Sequence, residues 1–317
     1  MTDYKGIKGF TIPNVSSDPA NPMQGQIWYN STSGTLKAAV PGVGAWASGG
    51  NMPDTYGMRF GFGTQTAGMC AGGAPGDTTK SQTYNGTSWT EVNDINTGRA
   101  NEAGNGSGTT SAGLIYRNTT EAYNGTSWTE VNAMNTNRGS LSGNGTQAAT
   151  IAMGGSVGPT YQVLTESWNG TSWTEVNDLN TARSGGTSLG VQGATFYAAG
   201  YTGSSTTAKV EEWNGTSWTE TTDLNQARCN QLSRGGTITD GLVAGGYDSS
   251  RLGNTETWNG TSWTEAADLA VARYAVAGQG TGSAAFAAGG NNPSDNYTAS
   301  TEEWSEPDSA TVTITTS

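Results

Sequence analysis

The side chains able to do acid/base or ligand chemistry here are 26 carboxylates, 14 lysines and arginines, and two cysteines; histidine is absent. The missing imidazole removes Ser-His-Asp catalysis and histidine metal sites together. Cys70 and Cys229 are too few for a cysteine zinc centre or a disulfide scaffold, and two free, buried thiols are expected. Two sets of residues stand out from the rest. Arg59, Arg99, Arg138, Arg183, Arg228 and Arg273 each follow a tryptophan at a similar distance. Arranged around an axis they would make an anion-attracting channel mouth. The favoured alternative pairs each with a carboxylate that recurs alongside it, such as Glu91, Glu130, Glu175, Glu220 or Glu265, or Asp94, Asp178, Asp223 or Asp268. The second set is Tyr161, Tyr201, Tyr247 with Asp248, and Asp295 with Tyr297, a mixture of rings and acids suited to stacking on sugars and bonding their hydroxyls. No pair of carboxylates is singled out for glycoside hydrolysis, so no catalytic residue, metal or cofactor is expected.

The elements that must position these residues follow from an internal repeat. Asn-Gly-Thr-Ser-Trp occurs five times, beginning at Asn85, Asn124, Asn169, Asn214 and Asn259, at intervals of 39, 45, 45 and 45 residues. In each unit an aromatic residue precedes the Asn, an apolar residue stands six after the Trp, and an Arg ten after it. A small-residue run ending in Gly-Gly then leads through a variable loop to Glu-x-Trp or its equivalent. A period near 45 residues suits a propeller blade. Asn-Gly predicts a tight type I′ hairpin with positive φ at both residues, joining the third and fourth strands of a four-stranded unit. The Arg-led and Gly-Gly segments supply the first and second strands, and no segment keeps a helical period. The recurring Trp and the aromatics before Asn-Gly are expected to pack unit against unit. The Asn-Gly-Thr sequons, with Asn30-Ser-Thr and Asn118-Thr-Thr, read as turns copied with the repeat.

The flanks complete the count. Trp46, with Met52 and Arg59 after it, resembles a repeat tryptophan, and Thr301-Glu302-Glu303-Trp304 is a third strand with no following Asn-Gly-Thr-Ser-Trp. Together they make one unit. The expectation is an all-β, six-bladed β-propeller over 46–304, its ring closed by the N-terminal strand so that few edges stay exposed. Residues 1–45 would form an extended arm with a short hairpin, and 305–317 a tail strand. Residues 1–23, with Pro13, Pro19 and Pro22 among polar neighbours, are expected to order only against a partner. A net charge of −12 repels phosphate backbones, so nucleic-acid binding is not expected. Neither a signal-peptide run nor an apolar stretch of ~18 residues appears, so membrane insertion is not expected either.

The double Gly, the paired aromatics and the recurring Arg resemble kelch-repeat propellers over residues 46–304. Unit two departs from that pattern, since Gly113-Leu114-Ile115-Tyr116 lacks the Gly-Gly and the unit is six residues short. Copper-radical oxidases of that fold need histidine ligands, and the sialidase Asp-box spacing is not met. The near-identical repeats are similar to Kelch-like proteins of marine bacteriophages. Residues 24–37, containing Trp28-Tyr29-Asn30, resemble a short hairpin of phage tail-fibre and other virion proteins. The resemblance implies a virion structural protein on the particle exterior, a tail fibre, spike or capsid decoration. Its residues 1–45 would bind other virion proteins, further copies of the chain would be partners on the particle, and its propeller would bind a host-surface glycan or receptor. The alternatives are a glycan-active enzyme on the same scaffold and a bacterial cell-surface adhesin.

Overall fold

The computed structural model describes residues 11–20, 22–23, 25–40, 42–230, 233–306 and 310–315, and among these all regular structure is β. The chain divides into two compact units, 45–305 and a smaller one drawn from 1–44 and 306–317.

The larger unit is propeller-like, a succession of four-stranded antiparallel sheets. In the third sheet, Ser142–Thr146 pairs with Ala149–Met153, that strand with Thr165–Trp168, and that with Trp173–Val176. Sheets led by Phe60–Thr64, Ala103–Gly104, Thr187–Val191, Ser233–Gly236 and Ala277–Gly280 repeat the order. The last of these borrows its outer strand from the beginning of the unit: Thr301–Ser305 pairs with Ala45–Ser48, with Trp304 opposite Trp46. Six four-stranded sheets result among the described residues of this unit.

The hairpin between third and outer strands differs from expectation. Tyr84 pairs with Trp89, leaving Asn85 to Ser88 as a four-residue loop. Positive φ is confined to the glycine, +86° at Gly86 and +90° to +92° at its four equivalents. The reason lies in the Asn side chain, whose Oδ1 accepts from the N–H of Thr87 and of Ser88, both at 2.9 Å. That side-chain turn holds the Asn in an ordinary conformation and leaves one left-handed residue for Gly.

The core is built from the repeated rings. Trp89, Trp128, Trp173, Trp218 and Trp263 are all at least nine-tenths buried, and each meets the aromatic on its third strand at a centroid distance of 4.8 to 5.4 Å. Several of their indole N–H groups tie sheet to sheet: Trp173 donates to Thr120 Oγ1 and Trp218 to Thr165 Oγ1, both at 3.2 Å. Trp89 reaches Thr301 and Trp46 reaches Thr255 in the same way. In unit two Tyr116 ends the second strand, paired with Thr120 as Met153 is with Thr165, and Arg117 follows where unit three has Gly154; the Tyr116 hydroxyl donates to Gly104 O at 3.0 Å.

At the start of the sheets, six residues form a cycle of backbone hydrogen bonds. Met58 N–H donates to Ala275 O, Ala275 to Asn230, Asn230 to Gly185, Gly185 to Ser140, Ser140 to Asn101 and Asn101 back to Met58, over 2.7 to 3.2 Å. All six have left-handed φ, between +48° and +65°.

In the smaller unit, Ile27–Asn30 and Thr35–Val40 form the hairpin, Asn14–Val15 adds in parallel to one side and Ala310–Thr313 antiparallel to the other. This corrects two expectations. The segment around residue 14 is ordered on its own chain, and the C-terminal strand is part of the N-terminal sheet. A polar anchor supplies what apolar burial could not: Asp18 accepts from Trp28 Nε1 at 3.0 Å, Asn30 Nδ2 at 2.6 Å and Lys37 Nζ at 2.6 Å. The Lys37 contact first, then Asn30 and Trp28, hold its carboxyl at about 2. Residues 1–10 of the arm lie outside the described residues.

Candidate functional site

The recurring arginines are buried structural links and do not form an open mouth. Arg183 Nη2 meets Glu211 Oε1 at 3.1 Å, Arg228 meets Glu256 at 2.6 Å and Arg273 meets Glu302 at 2.8 Å; Arg99 pairs with Glu121 and Arg138 with Glu166 in the same manner. The partner is thus the third-strand Glu, and the carboxylates expected from spacing lie elsewhere. Glu91 and Glu220 take surface lysines, Lys80 and Lys209, while Asp178, Asp223 and Asp268 accept the N–H that opens the third strand. The Glu does two jobs, since Glu211 also accepts from the N–H of Asn180 and Thr181 and so fixes the loop that leads into the sheet.

Arg59 is the exception. The carbonyl that Arg183, Arg228 and Arg273 offer to a glycine N–H of the preceding sheet is offered in the first sheet by Tyr56, to Gly290 at 3.1 Å. Tyr56 therefore holds the backbone place of the arginine, and Arg59 lies three residues on. Its guanidinium nevertheless reaches the equivalent spot, donating to Gly72 O, Lys80 O and Gln82 Oε1 at 2.8 to 2.9 Å. Gln82 stands where the other sheets have Glu, and passes its own N–H to Asp54 at 2.8 Å.

The six ligand-binding candidates all lie on the loops between second and third strands, as two groups. In one, Tyr161 and Tyr201 make an edge-to-face contact at 5.6 Å. In the other, Tyr247 makes the same contact with Tyr274 at 5.6 Å, and Arg251 lies over the Tyr274 ring at 5.6 Å while pairing with Asp295. Tyr297 packs against Gly57, where a Cβ would fall 2.6 Å from its ring, and its hydroxyl faces Met58 Sδ at 3.9 Å. Burial, with Tyr274 and Asp295 nearby, raises the Tyr297 phenol above its ordinary value. Asp248 turns back to accept from Thr206 Oγ1 at 2.6 Å, so its carboxylate braces adjacent loops. Asp295 stays open, with 79% of its side chain exposed.

Sequence reasoning missed Tyr274, Arg251 and Glu102, the last a carboxyl that burial holds at about 8. Tyr274 was legible in principle: the residue after the five arginines that stand ten after a repeat tryptophan is Ala100, Gly139, Ser184, Cys229 and then Tyr274, so among these only the last carries a ring. Cys70 and Cys229 are free and buried, with their thiols pushed up by burial to about 12 and about 11. Among the described residues no group of three acidic, cysteine or histidine side chains could hold a metal ion.

No family model and no curated protein matches the chain. Among solved structures 241 chains match. One, described as the structure of YjhT, is similar with a TM-score of 0.67 and 10% identity over 80% of this chain and 96% of that one. At that identity the likeness concerns fold and carries no activity.

Proposed function

We propose that this chain is a structural protein of a virus particle, with a closed six-bladed propeller whose second-to-third-strand loops bind a host-surface glycan or receptor. The six-bladed reading is supported by the six four-stranded sheets, by the pairing of Ala45–Ser48 with Thr301–Ser305, and by the hydrogen-bond cycle through Met58 and Ala275. The small sheet of residues 11–40 and 310–315 would be the attachment unit, meeting other virion proteins and further copies of the chain.

The observation that carries the binding reading is a contrast between two sets of loops. The Asn-Gly loops are nearly identical and satisfy their own polar groups. The loops at the other ends of those strands differ in length and carry Tyr161, Tyr201, Tyr247, Asp295 and Tyr297 on a rigid scaffold, where recognition usually resides. The repeated charges are consumed in buried pairs, which favours recognition over catalysis. The decisive experiment is mass spectrometry of purified virions together with binding of the labelled chain to host cells before and after glycan removal. Presence in virions and glycan-dependent binding are expected. Absence from virions, or release of oligosaccharide from host polysaccharide by the protein alone, would overturn the reading, the latter in favour of a glycan-active enzyme.

A further inference from the structure

The small sheet ends in a bare edge. Ala310–Thr313 pairs with Thr35–Val40 on one side, and no described strand pairs with its other side. Residues 311–315 are exposed one after another, with Val312 and Ile314 keeping 41% and 40% of their surface in water. Of the seven large apolar side chains exposed among the described residues, four belong to this unit: Met23, Val43, Val312 and Ile314. Sheet edges usually carry a device against pairing with another chain. Five of the six outer strands of the larger unit do, each holding an exposed carboxylate, Glu91, Glu130, Glu175, Glu220 or Glu265; the sixth, Ala45–Ser48, does not. The other edge of the small sheet, Asn14–Val15, is only two residues long. Thr311-Val312-Thr313-Ile314-Thr315 has no charge, proline or glycine, and every residue is β-branched, the composition that pairs most readily.

The ladder fixes which backbone groups are free. Val312 stands opposite Ala38, and two residues on Ile314 N–H donates to Leu36 O at 2.8 Å, so these even positions bond inward. The alternation of an antiparallel ladder then turns the N–H and C=O of Thr311, Thr313 and Thr315 outward. These outward groups are self-complementary about a two-fold axis through Thr313. Antiparallel pairing there sets Thr313 opposite itself and Thr311 opposite Thr315 of a second copy, so that every outward group of the three threonines finds a partner. On one face threonine meets threonine throughout, and on the other Val312 meets Ile314, both favourable cross-strand pairs. We propose that this edge is a self-association surface, to which a second copy of the chain adds its own Ala310–Thr313 strand in that register. The inference rests on the reading of the small sheet as an attachment unit and deepens it. So short a ladder makes a weak interface, which many copies on one particle would strengthen by acting together.

Sedimentation velocity of the full chain from about 5 to 500 μM should show a monomer–dimer equilibrium with micromolar dissociation. Thr313→Lys places two cations opposite one another on the axis, and should weaken dimerisation tenfold or more while circular dichroism stays unchanged. Thr313→Cys should form a covalent dimer under mild oxidation, because the pairing brings the two Cα atoms to about 5.5 Å, within disulfide reach. Thr311→Cys, whose mate is Thr315, should not. Cys70 and Cys229 are buried and leave the background unchanged. A monomer throughout the range, a dimer indifferent to Thr313→Lys, or equal cross-linking of Thr311→Cys and Thr313→Cys would overturn the proposal. The virion reading is judged separately by mass spectrometry of particles: a chain present in virions yet monomeric in solution sinks only the pairing edge, and a Thr313-dependent dimer absent from virions sinks only the virion reading.

Discussion

Trp173 and Trp218 each find a threonine hydroxyl on the preceding sheet, and the two places where that arrangement fails show how much a single residue matters. Unit one has Ser81 at the threonine position, and both Ser81 Oγ and Trp128 Nε1 are buried without partners. Unit four has Val210 there, and Trp263 turns instead to Thr222 O at 3.1 Å. Ser81→Thr should restore the missing bond and raise stability by about 1 kcal/mol, read as a higher denaturation midpoint; no gain would show that the indole is already satisfied in solution. The buried pairs behave oppositely. Arg183→Met should cost about 3–5 kcal/mol because it strands Glu211 without its cation, and a double change with Glu211→Leu should recover much of that loss. Glu102 supplies a pH dependence of known sign. Its folded value, about 8, lies above the ordinary 4.5, so the folded state holds the extra proton between them. Stability is full below about 4.5, falls by up to about 1.4 kcal/mol per pH unit as pH rises towards 8, and levels off above it. Chemical denaturation of Glu102→Gln should lack that slope, and an identical slope in the two proteins would refute the assignment.

At the scale of elements, the strand Ala45–Ser48 closes a sheet whose other three strands lie more than 200 residues away. Trp46 contributes a ring contact with Trp304 at 5.5 Å and an indole bond to Thr255 at 2.9 Å. Trp46→Ala should therefore lower stability by about 2–3 kcal/mol, somewhat less than a fully buried tryptophan, measurable as a lower melting temperature; an unchanged melting temperature would mean that the strand contributes no closure. This pairing was legible in the sequence because a third strand without a fourth and a tryptophan without a third are complementary halves. The strands and ring pairs were legible for the same reason, five copies of one pattern. The turn geometry was not, because Asn-Gly is compatible with two loops and the choice was made by a side-chain oxygen bonding two residues onward. The arginine partners were missed because spacing alone cannot tell which of several recurring acids points inward, and a strand's alternation hides the third-strand Glu beside its aromatic. Arg59 shows the limit most clearly: a guanidinium can arrive at one spot from two backbone positions, so equivalence of side chains need not be equivalence in alignment.

For the whole molecule, the proposed division of labour between the two sets of loops leads to a double dissociation. The Asn-Gly loops contribute to the scaffold, since Asn93, Asn132 and Asn177 each donate to the next loop's threonine carbonyl at 2.7 to 2.8 Å, binding neighbouring sheets outside the tryptophan layer. The opposite loops hold exposed or half-exposed rings whose mutual contacts, at 5.6 Å, add little to a core already filled by tryptophan. Substitution of Gly170 by Ala should cost stability, because its φ of +91° is strained for any residue with a side chain, while leaving attachment to host cells intact in the surviving folded protein. Tyr201→Ala and Tyr247→Ala should do the reverse, changing stability by less than about 1 kcal/mol and reducing attachment severalfold. Tyr274→Ala belongs with them, since its ring carries both Tyr247 and Arg251. Attachment that survives all three tyrosine changes, or that is lost on altering exposed residues of the Asn-Gly loops without loss of stability, would move the recognition surface to the other face.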